Sequence, residues 1–258
     1  MSINLIFEPK VTLISHPTFI NPEHFPANFI GESSDGEKLA EYAGRLCYLS
    51  QANKKGGTSK AYHEHIMSLL HGSVQEHVNY SFLVEGVSRN LTHELIRHGD
   101  GTAFSELSQR FVEIDGQWAN FVVPPAIQEA PEDIRMNLLE SFRRSCERSH
   151  EDHKYHVDLH QMQYADIPDA TLRRKKSREA ARYLLHSACE TKMVFSANVR
   201  ALRWIMSLRG SIHADAEIRN FSIALLNAVK PYLPNILDDM VVQNEGGVDV
   251  ITYKYHKV

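Results

Sequence analysis

The sequence predicts an α+β protein, a single domain over residues 1–258 with a central, mostly antiparallel sheet flanked by long helices. Three observations predict it. Residues 77–86 read as a half-buried strand, with Val78, Tyr80, Phe82 and Val84 on one side and Asn79, Ser81 and Glu85 on the other. Residues 131–190 read as two long helices. No repeat, low-complexity block or long linker divides the chain, and 258 residues at 43% hydrophobic content can bury a core.

The elements follow in order. Val11, Leu13 and Ile14 alternate as a strand, which Pro17, Pro22 and Pro26 break into loop. Residues 36–70 become helical through Leu39, Tyr42, Ala43 and Leu46, then Ile66, Leu69 and Leu70, interrupted by the polar loop QANKKGGTSK. After the 77–86 strand, Val87, Leu91 and Leu95 recur at four-residue spacing, predicting a helix that Gly99 and Gly101 end. Residues 111–114 and 120–123 are strand candidates before the Pro124-Pro125 break. The two long helices join near Ile167-Pro168-Asp169, and the remainder reads mostly as helix. Leu202, Ile205, Met206 and Leu208 form one stripe there, and Ile218, Phe221, Leu225 and Leu226 another after a cap at 213–215.

A net charge of -4 excludes a nucleic-acid binder that works by bulk electrostatics. Three cysteines, Cys47, Cys146 and Cys189, fit neither a metal knuckle nor a disulfide framework and point to a reducing cytosol. The first residues lack a basic leader and no run approaches a membrane span, so the expectation is a soluble, cytoplasmic protein with no membrane partner. Of the 15 histidines, His63, His65, His150, His153, His156 and His160 lie in polar helical stretches and read as solvated imidazoles.

Chemistry concentrates in four segments. Residues 92–110 set Arg97, His98, Glu106, Ser108 and Arg110 around a glycine-bearing turn, the donors and open backbone that a phosphate or planar heterocycle requires. A zinc helix is excluded there, because His93 and His98 are five residues apart and so roughly 140° apart around a helix. Glu94 and Arg97, three apart, share a face instead. Residues 71–77 place small residues between two histidines and a glutamate. Arg178, Arg182 and His186 recur every four residues in a basic stretch, and Arg182 sits among Ala180, Ala181 and Tyr183. A buried arginine there requires an acidic partner or an anionic ligand. Finally, Asn198, Arg200, Arg203 and Arg209 thread through apolar residues before His213, Asp215 and Glu217, a density that reads as a binding wall.

These segments resemble the flavin-dependent thymidylate synthases from about residue 71 to 219. The resemblance rests on His71-Gly72-Ser73-x-x-Glu76-His77, on Arg97-His98 leading to Glu106-Leu107-Ser108-Gln109-Arg110, and on Asn198-x-Arg200 through Leu208-Arg209 to His213-Ala214-Asp215. It implies a homotetramer with shared active sites that binds FAD, dUMP, methylenetetrahydrofolate and NADPH and converts dUMP to dTMP, without a metal. It places His71, Ser73, Arg97, His98, Glu106, Asn198, Arg200, Trp204 and His213 at FAD. Glu94, Arg97, Glu106, Leu107, Ser108, Gln109, Arg110, Arg182 and Arg209 fall at dUMP, with Arg209 against the uracil as the catalytic residue.

The chain departs from the family pattern twice. Arg-His-Arg followed by seven residues and Ser becomes Arg97-His98-Gly99 followed by eight residues and Ser108, and Trp204 stands where a histidine or asparagine is common. Two further expectations arise from the departures: a related pyrimidine-nucleotide one-carbon transferase with altered chemistry, or a non-catalytic nucleotide-binding homologue.

Overall fold

The computed structural model describes residues 3–255. In chain order the elements are β1 (Asn4–Ile6), β2 (Lys10–Ser15), α1 (Asp35–Leu46), α2 (Ser59–Ser68), β3 (Asn79–Ser88), α3 (Arg89–Leu95), β4 (Thr102–Glu106), β5 (Asn120–Val122) and α4 (Pro125–Gln128). There follow α5 (Glu132–Gln163), α6 (Ala170–Ala181), β6 (Glu190–Asn198), α7 (Val199–Arg209), α8 (Ala216–Val229), β7 (Val241–Glu245) and β8 (Val248–Thr252). Short 3₁₀ turns include Gly72–His77 and Arg182–Leu184. The α+β class is as expected.

The described residues group into two compact units, one from segments 3–9, 85–95 and 105–193, the other from 10–84, 96–104 and 194–255. The chain passes between them within β3, β4 and β6. In the first unit β1 pairs parallel with β5 in the register Leu5↔Phe121, and α5 packs on α6. Its core gathers Ile3, Ile114, Phe121, Cys146 and Cys189. Glu190 ties the interior together by accepting from the Gly86 amide at 2.9 Å and from Asn120 Nδ2 at 2.6 Å.

The four-stranded sheet has the order β2-β3-β6-β4, and the second unit holds all of β2 with residues 79–84 of β3, 194–198 of β6 and 102–104 of β4. Phe195 of β6 stacks between Phe82 and Phe104 at centroid distances of 6.1 and 5.4 Å. Phe82 and Phe195 are fully buried, and each contributes about 2 kcal/mol. Buried Glu37 closes the unit: it completes a capping box with Ser34 and accepts from the backbone of Asn235 and Ile236. Arg203 is buried and forms a two-bond fork with Asp239 at 2.8 and 3.0 Å, so this member of the expected binding wall holds the fold. The antiparallel β7–β8 hairpin docks through Ile251 N to Gly210 O at 2.8 Å.

Several sequence expectations are corrected. The helix after β3 stops at Leu95, so Arg97 is not on it and shares no helical face with Glu94. The His98 carbonyl is instead taken by the Thr102 hydroxyl at 2.6 Å in the turn into β4. Residues 111–114 form no strand, because Phe111 and Val112 turn back onto the Ser108 carbonyl and Arg178 binds Phe111 O and Glu113. The second long helix ends at Ala181, so the every-four register of Arg178, Arg182 and His186 breaks there. Strand β6 occupies a stretch read as helix, although Met193, Phe195 and Ala197 alternate into the interior. His63, His150 and His153 are buried, not solvated.

Candidate active site

The first unit holds a cavity of about 410 Å³ lined by Arg89, Glu106, Leu107, Ser108, Gln109, Arg182 and Tyr183. The end of β4 and the turn after it supply most of its floor, and Leu107 N is anchored on Lys192 O at 2.8 Å. Five residues expected at the nucleotide, Glu106 to Gln109 and Arg182, are thus brought together. The arginines differ in their partners. Arg89 meets Glu106 Oε2 at 2.8 Å and donates to Leu107 O at 2.6 Å. Arg110 meets Glu179 at 2.5 Å and does not line the cavity. Half-buried Arg182 faces the Tyr183 ring at 6.0 Å and has no carboxylate partner among the described residues. Glu94 lies on α3 outside the cavity lining.

Arg89 and Tyr183 were not foreseen as site residues. Arg89 reads in sequence as one more polar face of a helix, and no spacing rule links it to Leu107 eighteen residues on.

In the second unit Asn198, Arg200 and Trp204 line a cavity of about 500 Å³ with Glu76, Asp100, Gly101 and Ala201. The start of α7 builds it: Asn198 caps that helix by accepting from Ala201 N at 2.8 Å, and its own N–H is held by Gly101 O at 2.9 Å. Gly101 has φ +71, and a Cβ there would overlap the Asn198 amide. Arg200 pairs with Glu76. Trp204 is 43% exposed, leaving indole surface open to a ligand.

Arg209, at the other end of α7, donates from Nε to His98 Nε2 at 2.9 Å. His98 is held below the ordinary imidazole range, chiefly by burial and then by the Arg209 and Arg97 cations. The neutral ring therefore carries its proton on Nδ1 and offers Nε2 as the acceptor that aims Arg209. Arg209 and His213 line a third cavity, of about 640 Å³, walled by residues of the β7–β8 hairpin and the Tyr253 that follows it. His71, Ser73 and Arg97 are exposed and line none of these cavities. No cluster of three or more His, Cys, Asp or Glu suited to a metal occurs among the described residues. No helix among them is long and apolar enough to cross a membrane.

The chain belongs to the flavin-dependent thymidylate synthase family: the model described as thymidylate synthase complementing protein matches residues 28–235. It is therefore an enzyme of that family. It is 38% identical to the flavin-dependent thymidylate synthase of Mycobacteroides abscessus over 232 residues, 89% of each chain. It is likewise 38% identical to that of Mycolicibacterium vanbaalenii over 247 residues, 94% of each. Its fold is similar to the UMP/dUMP methylase PolB from Streptomyces cacaoi, solved with 5-Br UMP (TM-score 0.67, 21% identity, 92% of this chain and 95% of that one). The same protein with 5-Br dUMP gives a TM-score of 0.66 at 23% identity over 92% and 96% of the two chains.

Proposed function

We propose that this enzyme methylates dUMP reductively to dTMP, with methylenetetrahydrofolate as carbon donor and NADPH as reductant through FAD. The reading includes a cytoplasmic homotetramer whose subunits each work as one domain over residues 1–258. The observation that carries it is the uncompensated Arg182 cation beside Ser108 and Gln109, in a cavity whose other arginine is already neutralised by Glu106. A nucleotide monophosphate supplies the missing anion, and each charge-assisted hydrogen bond contributes about 1.5–3 kcal/mol.

Arg209 lines a different cavity from Arg182, and it serves the reacting ring where the subunits of the tetramer share a site. Its guanidinium, aimed by neutral His98, stabilises negative charge as electron density builds in the pyrimidine for attack from C5. A thiol nucleophile has no support: burial pushes Cys146 up to about 12 and Cys189 up to about 11, and exposed Cys47 lines none of the three cavities.

The α7 cavity suits a flavin through its exposed indole face and its Arg200 guanidinium, with Asn198 seated beside them by the close approach that Gly101 permits. Two carboxylates line the same cavity: Glu76, which pairs with Arg200, and Asp100, an added negative charge. When bound, the flavin supplies the hydride, and the residues around it supply placement. Gly99 and the additional residue before Ser108 motivate a second reading, a related one-carbon transfer to a pyrimidine nucleotide.

The purified protein is expected to be yellow, to oxidise NADPH faster when dUMP is present, and to yield dTMP by mass spectrometry. A different methylated or hydroxymethylated product selects the second reading. A colourless protein that refuses added FAD defeats the proposal, and tight dUMP binding without turnover then marks a non-catalytic homologue.

A further inference from the structure

We infer that Arg89 and Thr92 are positioning residues for the nucleotide cavity, clamping Glu106 and the Leu107 carbonyl so that the 106–109 turn is preformed before any ligand arrives. Arg89 opens helix α3, where the Ser88 hydroxyl caps the first turn by accepting from Leu91 N at 3.1 Å. From that fixed base one guanidinium reaches two points of the turn, Glu106 Oε2 at 2.8 Å and Leu107 O at 2.6 Å. The Thr92 hydroxyl, one helical turn further along, lies 3.0 Å from Glu106 Oε1 and 3.1 Å from Arg89 O. Both oxygens of Glu106 are thereby held from a single helix.

Two consequences follow for the cavity. Its carboxylate is neutralised, so an arriving phosphate meets the charge of Arg182 rather than a balance of opposing charges. The turn that presents Ser108 and Gln109 is also fixed in advance, and binding does not have to order it. The Arg89 Nε is buried without a hydrogen-bond partner among the described residues, a cost consistent with a side chain placed for its two terminal nitrogens.

The clamp itself is independent of the chemistry; its effect on dUMP rests on the function proposed above. The test therefore has two readouts on Arg89→Ala, Arg89→Lys, Thr92→Val, Glu106→Gln and the Arg89→Ala/Glu106→Gln pair. Amide hydrogen exchange on the ligand-free protein is expected to rise about ten-fold or more at residues 107–109 in Arg89→Ala, less in Thr92→Val, with Arg89→Lys intermediate. Calorimetry is expected to show dUMP binding weakened about ten- to a hundred-fold in Arg89→Ala, with the double variant no worse than Glu106→Gln alone.

Unchanged exchange in both Arg89→Ala and Thr92→Val overturns the clamp even if the wild type binds dUMP. Losses that multiply in the double variant overturn the route through Glu106. Raised exchange in a protein whose wild type ignores dUMP upholds the clamp and sinks the functional reading instead. Should Arg89→Ala fail to fold, the near-isosteric Thr92→Val carries the same exchange readout.

Discussion

Arg182 differs from its neighbours by what it lacks. Arg89 and Arg110 each hold a carboxylate at 2.8 and 2.5 Å, and a paired guanidinium must surrender that partner before it can serve a phosphate. Arg182→Ala is accordingly expected to weaken dUMP binding by about 1.5–3 kcal/mol, roughly ten- to a hundred-fold, and to leave any binding of uridine, which lacks the phosphate, unchanged; calorimetry with both ligands checks it. His98 offers a second residue-scale test. Two cations and burial depress its pKa, so Arg209→Gln should move it upward while burial keeps it below 6.5. A ring-proton NMR titration that shows no upward movement in the variant would remove Arg209 from the vicinity of that ring.

At the scale of elements, helix α7 carries candidate site residues along its whole length: Asn198 at its cap, Arg200 and Trp204 on one wall, Arg209 in its last turn. Its start depends on the close approach of the β4 turn. Gly101→Ala adds a Cβ where φ is +71 and the Asn198 amide already fills the space, so a loss of about 1–3 kcal/mol in unfolding free energy is expected, measured by denaturant titration. Flavin uptake should fall with it, because the same displacement disturbs the cap and the cavity wall. Its far end depends on Gly210, where a Cβ would meet Ile251 at 2.6 Å and displace the hairpin that walls the Arg209 cavity.

For the whole molecule, buried histidines govern behaviour in acid. Burial holds His63 and His153 at about 4, against an ordinary value of 6.5. The unfolded chain binds more protons between those values, so the stabilisation from burying neutral rings is complete above pH 6.5 and is lost as pH falls towards 4. Each site accounts for about 3 kcal/mol over that interval. Urea titrations from pH 7 to 4 are expected to show a steep loss of stability, and His153→Phe should flatten part of it. A midpoint independent of pH across this range would contradict the burial of both rings.

Much of this was legible in the chain itself. Long helices, the β3 alternation and the 213–215 cap are local patterns, set by side-chain periodicity and capping chemistry within a few residues, and they recur in α5, α6, β3 and α8. Glu106, Ser108 and Arg182 stood out by their chemistry and Leu107 and Gln109 only by the family resemblance, and all five line one cavity. The tertiary structure alone decided which arginine is paired, which histidines are dry, and that Arg89 grips a turn eighteen residues away. The physical reason is that ion pairing and desolvation depend on which groups meet through space. Short strands such as β4 and β7 also bury no side chain that would mark them in sequence, so their partners had to define them.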